Sequence, residues 1–113
     1  MFAAVLTLAL TPCASEAHAI LEASEPPQGG AVAAGTIQVK LRFNSRIDRT
    51  RSRLTLTRPD RTKISPPIDP DGPPDIVSTT VPLTPGAYVL RWQVLAVDGH
   101  ITRGDVPFTV VGK

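Results

Sequence analysis

At 113 residues, with twelve prolines, eight glycines and a formal charge of +2, the chain has the size of one domain with a modest core. The abundance of Val, Thr, Ile and Leu beside Pro and Gly favours turns and short strands and argues against a helical bundle. The net charge is too small to imply nucleic acid, and the arginines are accompanied by no aromatic platform on which bases could stack.

Residues 2–10 form an apolar run that fits the core of a secretory signal and is too short to span a bilayer. Ser15 and Ala17 supply the small residues for cleavage after Ala17. The expected organisation is a signal peptide over 1–17 and a mature, exported domain over 18–113. That cleavage makes His18 a free amino terminus and removes the only Cys and the only Met of the chain.

The mature region then reads as strands. Residues 18–23 predict a short first strand, halted by the turn cluster at 24–30. Over 36–43, Ile37, Val39, Leu41 and Phe43 point one way and Gln38, Lys40 and Arg42 the other, the alternation of a half-buried strand. A polar, basic loop is expected over 44–52, then a strand over 53–57, a turn at 58–61 and a short edge strand at 63–65. Residues 66–75 are dense in Pro, Asp and Gly and predict a surface loop. Its Asp69, Asp71 and Asp75 lack the spacing of a calcium loop and read as solubilising.

A strand at 76–81 and a turn at 84–86 lead into the longest expected strand, 87–96. Tyr88, Leu90, Trp92 and Val94 share one of its faces, and Val89 and Leu95 on the other predict burial on both sides. A loop carrying Asp98-Gly99-His100 follows. Residues 105–111 close the domain, with Val106, Phe108 and Val110 inward. About seven short strands with frequent turns predict an all-β fold: a Greek-key antiparallel β-sandwich or barrel, immunoglobulin-like and cupredoxin-related. Strand ends in such a sandwich gather at two poles, so residues distant in sequence can meet.

His18 and His100 are the only two histidines. Asp98 and His100, two apart on extended chain, would present a carboxylate and an imidazole to the same side, with Gly99 adding no bulk. A free His18 would add its α-amine and Nδ1 in a six-membered chelate. Three nitrogens and one oxygen suit tetragonal Cu(II), with Ni(II) and Zn(II) as rivals, and the lack of a thiolate excludes a blue-copper site. The bland alternative is that Asp98-Gly99 is a turn and His100 a solvated loop residue.

On these residues the chain resembles the periplasmic copper-binding proteins of the CopC type. The resemblance runs from His18-Ala19 through the Ser24-Glu25-Pro26-Pro27-Gln28-Gly29 turn and Phe43 to Gly86-x-Tyr88-x-x-x-Trp92, Asp98-Gly99-His100 and Gly104. It implies Cu(II) held by the His18 amine and ring, Asp98 and His100, in a periplasmic protein without enzymatic activity. It also implies sequestration of copper or its delivery to an inner-membrane partner of the CopD type. Departures are present. Asn44-Ser45-Arg46 stands where the family carries an acidic residue, and Ala96 and Ile101 replace its Ser and Pro. Without Met after processing, the implied site is for Cu(II) alone and of weakened affinity.

Trp92 and Tyr88 are expected in the core, and Thr102 and Arg103 in a loop without a role. The basic stretch from Lys40 to Lys63 reads as a solvated face. Its alternative is contact with anionic lipid headgroups or an acidic partner loop through Arg46, Arg49, Arg51 and Arg53. Two other functions compete with copper carriage: a histidine-brace copper oxidative enzyme, and a metal-free immunoglobulin-like interaction domain.

Overall fold

The computed structural model describes residues 19–112; the expected signal segment, His18 and Lys113 lie outside the described residues. Eight strands follow one another: β1 (Leu21–Glu25), β2 (Ala31–Ala33), β3 (Gly35–Phe43), β4 (Ile47–Thr57), β5 (Lys63–Ile64), β6 (Ile76–Leu83), β7 (Gly86–Ala96) and β8 (Ile101–Val111). They form a three-stranded sheet, β1-β3-β6, and a five-stranded sheet, β2-β8-β7-β4-β5. The fold is the expected all-β sandwich.

The register follows the apolar pattern. Ile37, Val39, Leu41 and Phe43 of β3 are buried while their neighbours face water, and Tyr88, Leu90, Trp92 and Val94 do the same on β7. These two rows face each other across the core, where each fully buried aliphatic side chain contributes about 1.5–3 kcal/mol. Phe43 of the smaller sheet meets Trp92 of the larger one edge to face, with centroids 5.1 Å apart and ring planes at 72°. Trp92 lies opposite Gly104 in the β7–β8 ladder. A Cβ built on Gly104 would come within 2.4 Å of the indole ring, so only glycine leaves room for it.

Four details depart from the expectation. The expected loop over 44–52 is mostly strand, because β4 starts at Ile47 and pairs with β7. Asp48 opposes Leu95 and Arg53 opposes Gln93, so the residues between bulge outward, and that hides the alternation. The Ala-rich β2 was not expected, and it pairs with β8 in parallel, the one parallel ladder among the described residues. Strand β8 starts at Ile101, so Thr102 and Arg103 belong to a strand and not a loop. Finally, Val89 is 37% exposed and Leu95 only half-buried. Strand β7 is covered on one face alone, since one sheet packs on the other and leaves its outer face to solvent.

The Pro-rich segment between β5 and β6 is pinned down by one side chain. Arg49 donates from Nε to the Ile76 carbonyl at 3.2 Å, from Nη1 to Pro70 at 3.3 Å and from Nη2 to Gly72 at 2.9 Å and to Pro73. Prolines offer carbonyls but no N–H, and a guanidinium offers several donors and no acceptor, so the match is chemical.

Two substitutions test this packing. Gly104→Ala is expected to cost about 1–3 kcal/mol in urea or thermal denaturation, because the buried indole must move off its position. Arg49→Ala is expected to cost about 1–2 kcal/mol and to raise hydrogen exchange at the few N–H groups of residues 68–76, where Arg49→Lys recovers only part of the loss.

Candidate metal centre

Strands β7 and β8 are joined by a short hairpin loop, residues 97–100. Leu95 opposes Ile101, and the loop closes with Ala96 N–H donating to the His100 carbonyl at 2.9 Å and Gly99 N–H to the Ala96 carbonyl at 2.8 Å. Gly99 adopts φ +97°, a left-handed conformation in which a Cβ is strained although no atom crowds it.

Within this loop Asp98 folds back on His100. Asp98 Oδ1 accepts the His100 backbone N–H at 3.1 Å and lies 3.3 Å from His100 Nδ1. The two functional groups thus meet through a turn, and not through the same-side alternation of extended chain. The His100 amide is the main reason that the Asp98 carboxyl sits below its ordinary value of 3.8; slight desolvation opposes it, and the ring adds to it. A depressed acid favours the folded loop above its ordinary range, and the bond is lost as pH falls through the lowered value. Asp98 is therefore a carboxylate throughout the neutral range. Both side chains are open to solvent, at 53% for His100 and 39% for Asp98.

An aspartate and an imidazole are two donors, and among the described residues no group of three His, Cys, Asp or Glu side chains gathers there or elsewhere. His18 lies outside the described residues. Its neighbour does not: Ala19 is buried in the core, and its carbonyl accepts from Thr102 Oγ1 at 3.1 Å, two positions beyond His100. Ile20 is bound twice by Asn44, with Ile20 N–H donating to Oδ1 at 2.7 Å and Asn44 N–H donating to the Ile20 carbonyl at 3.0 Å. Val97 N–H donates to the Arg46 carbonyl at 3.1 Å. The start of the described chain, the turn after β3 and the Asp98–His100 loop therefore share one pole of the sandwich. Ile20, Val97 and Ile101 give that pole an exposed apolar rim.

Asn44 and Thr102 escaped the sequence reading. The signal for Thr102 was its place in a strand whose expected start was set too late. For Asn44 it was the abrupt polar residue after four alternating apolar ones. Ser45 offers no carboxylate, and its hydroxyl donates to the Arg46 carbonyl at 3.4 Å. Trp92 is a core residue, as expected, and its buried Nε1 has no hydrogen-bond partner. Of the four arginines singled out for surface contact, Arg49 is committed to the Pro-rich loop, and Arg51 approaches Asp48 at 3.8 Å.

A two-sheet sandwich with an aspartate–histidine hairpin turned to solvent is the class that the fold and site define. The chain belongs to the CopC domain family, whose sequence profile matches residues 21–111. Protein YobA of Escherichia coli strain K12 is 31% identical over 111 residues, spanning 95% of this chain and 90% of that protein. The crystal structure of CopC from Methylosinus trichosporium OB3b superposes with a TM-score of 0.77 at 28% identity, covering 84% of this chain and 95% of that one. PcoC, a methionine-rich copper resistance protein from Escherichia coli, gives 0.68 at 27% identity over 84% of this chain and all of its own.

Gly99→Ala is expected to destabilise the domain by about 1–2 kcal/mol in thermal denaturation, through backbone strain alone. The His100 amide resonance should move with it, as the bond to Asp98 is disturbed.

Proposed function

We propose that the domain starting at His18 is a periplasmic copper carrier that binds one Cu(II) at this pole without catalysing a reaction. The ligands are the His18 amine and ring nitrogen, the Asp98 carboxylate and the His100 imidazole. The observation that supports the reading is the Thr102–Ala19 hydrogen bond, which anchors the residue after His18 beside the strand that His100 leads into. Asp98, already ionised, costs no proton on binding, whereas a terminal amine must give one up, so acid releases the metal.

Hard nitrogen and oxygen donors favour Cu(II) over Cu(I), and the sequence from 18 onward holds no Cys or Met to reverse that preference. The carrier reading accords with the copper resistance role of PcoC. On this reading the cargo is sequestered or passed to an inner-membrane partner of the CopD type. Exposed Arg46, Arg51 and Arg53 would draw the domain toward anionic headgroups or toward that partner.

The test is a titration. A domain whose first residue is His18 is expected to bind one Cu(II) with a type-2 paramagnetic resonance spectrum. One glycine added before His18 should weaken binding at least about tenfold, because the chelate through the amine is lost. Equal affinity with and without the extra residue would reject the amine as a ligand.

A further inference from the structure

The hydrogen bonds around Ala19 and Ile20 converge on a single peptide unit. Its carbonyl, that of Ala19, accepts from Thr102 Oγ1 at 3.1 Å, and its N–H, that of Ile20, donates to Asn44 Oδ1 at 2.7 Å. Thr102 belongs to the five-stranded sheet, and Asn44 follows β3 of the three-stranded one. One peptide plane is thus gripped from both sheets, in line with its own donor and acceptor directions. The Asn44 backbone N–H adds a third bond, to the Ile20 carbonyl at 3.0 Å, and the Ala19 methyl group is buried between the layers with 3% exposure.

Such a grip exceeds what chain tethering requires. Ile20 is 56% exposed, so its side chain gains little from burial there. The two side-chain hydrogen bonds, one exposed and one part-buried, contribute modestly to stability as well. What the arrangement does achieve is orientation. With the 19–20 plane fixed, the Ala19 dihedrals, the His18 ψ and the two His18 side-chain torsions are what separate a rigid frame from a ligand that must aim two nitrogens at once. Every backbone angle left free would have to be ordered when metal binds, at a cost to affinity.

We propose that Asn44 and Thr102 are positioning residues that pre-orient the amino terminus for metal, without touching the metal themselves. The inference rests on the Cu(II) reading above. It also gives Asn44 a task at the very turn where the acidic residue of the family is missing: the turn orders a ligand and does not supply one.

The experiment uses the domain starting at His18, with Cu(II) competed against a chromogenic chelator at a temperature where every variant is folded. Asn44→Ala and Thr102→Val are each expected to weaken binding about fivefold or more and to broaden the type-2 spectrum. Thr102→Ser, which keeps the donor hydroxyl without adding charge, should restore both. Tyr88→Phe, which removes the hydroxyl's bond to the Thr84 carbonyl near the opposite end of β7, should leave affinity and spectrum unchanged. Affinity and spectrum unaltered in both Asn44→Ala and Thr102→Val would overturn this inference while leaving the copper reading in place. Absence of binding by the parent domain would overturn both.

Discussion

Phe43 and Trp92 meet edge to face between the sheets, and that contact is possible only because Gly104 carries no side chain. The three residues sit on β3, β7 and β8, the strands whose ends build the candidate centre. Phe43 is the last residue of β3 and hands the chain to Asn44; β7 runs on from Trp92 to the Asp98–His100 loop; Gly104 lies two residues beyond Thr102. A shift of the indole would move all three ends relative to one another. The interior packing thereby sets the geometry of an exposed pole. A solvent-facing pair of polar groups inherits its precision from a buried aromatic contact, since packed cores deform little.

Much of this fold was legible because burial imposes a period. The alternation in β3 and on the inward face of β7 is carried by large aliphatic and aromatic side chains, and the register followed it. Where a strand is held by backbone pairing and not by burial, the period fades. Residues 47–53 of β4 are mostly polar and bulge against β7, and β2 is a run of small residues docked in parallel beside β8. Neither leaves an apolar stripe to read. The apparent two-sided burial of β7 failed for a related reason: Val89 and Leu95 face outward on a sheet that has only one partner layer.

The site divides along the same line. Asp98, Gly99 and His100 form a local motif, and local chemistry is readable from spacing. The Asx-type turn that joins them is closed within the loop, and its bond from the His100 amide lowers the pKa of the carboxyl. The clamp on the 19–20 peptide is not local. Thr102 and Ala19 are 83 positions apart, and Asn44 and Ile20 are 24 apart. No pattern along the chain announces a hydrogen bond between a threonine hydroxyl and a distant carbonyl. The arginines make the same point: Arg49 and Arg53 look alike in sequence, yet one is spent on four carbonyls of a proline-rich segment and the other faces solvent.

An aspartate and a histidine on a hairpin are a poor metal site by themselves. Two monodentate donors, each half open to water, compete weakly with the hydration of a divalent ion, and nothing in their spacing favours copper. Selectivity has to come from what is added to them, and a liberated amine adjoining an imidazole changes both the number and the character of the donors. An amine becomes available only when the peptide bond before it is cut. On the proposed reading, metal affinity is therefore a property that the polypeptide acquires by processing, and the folded scaffold serves to keep the new terminus where the hairpin can use it.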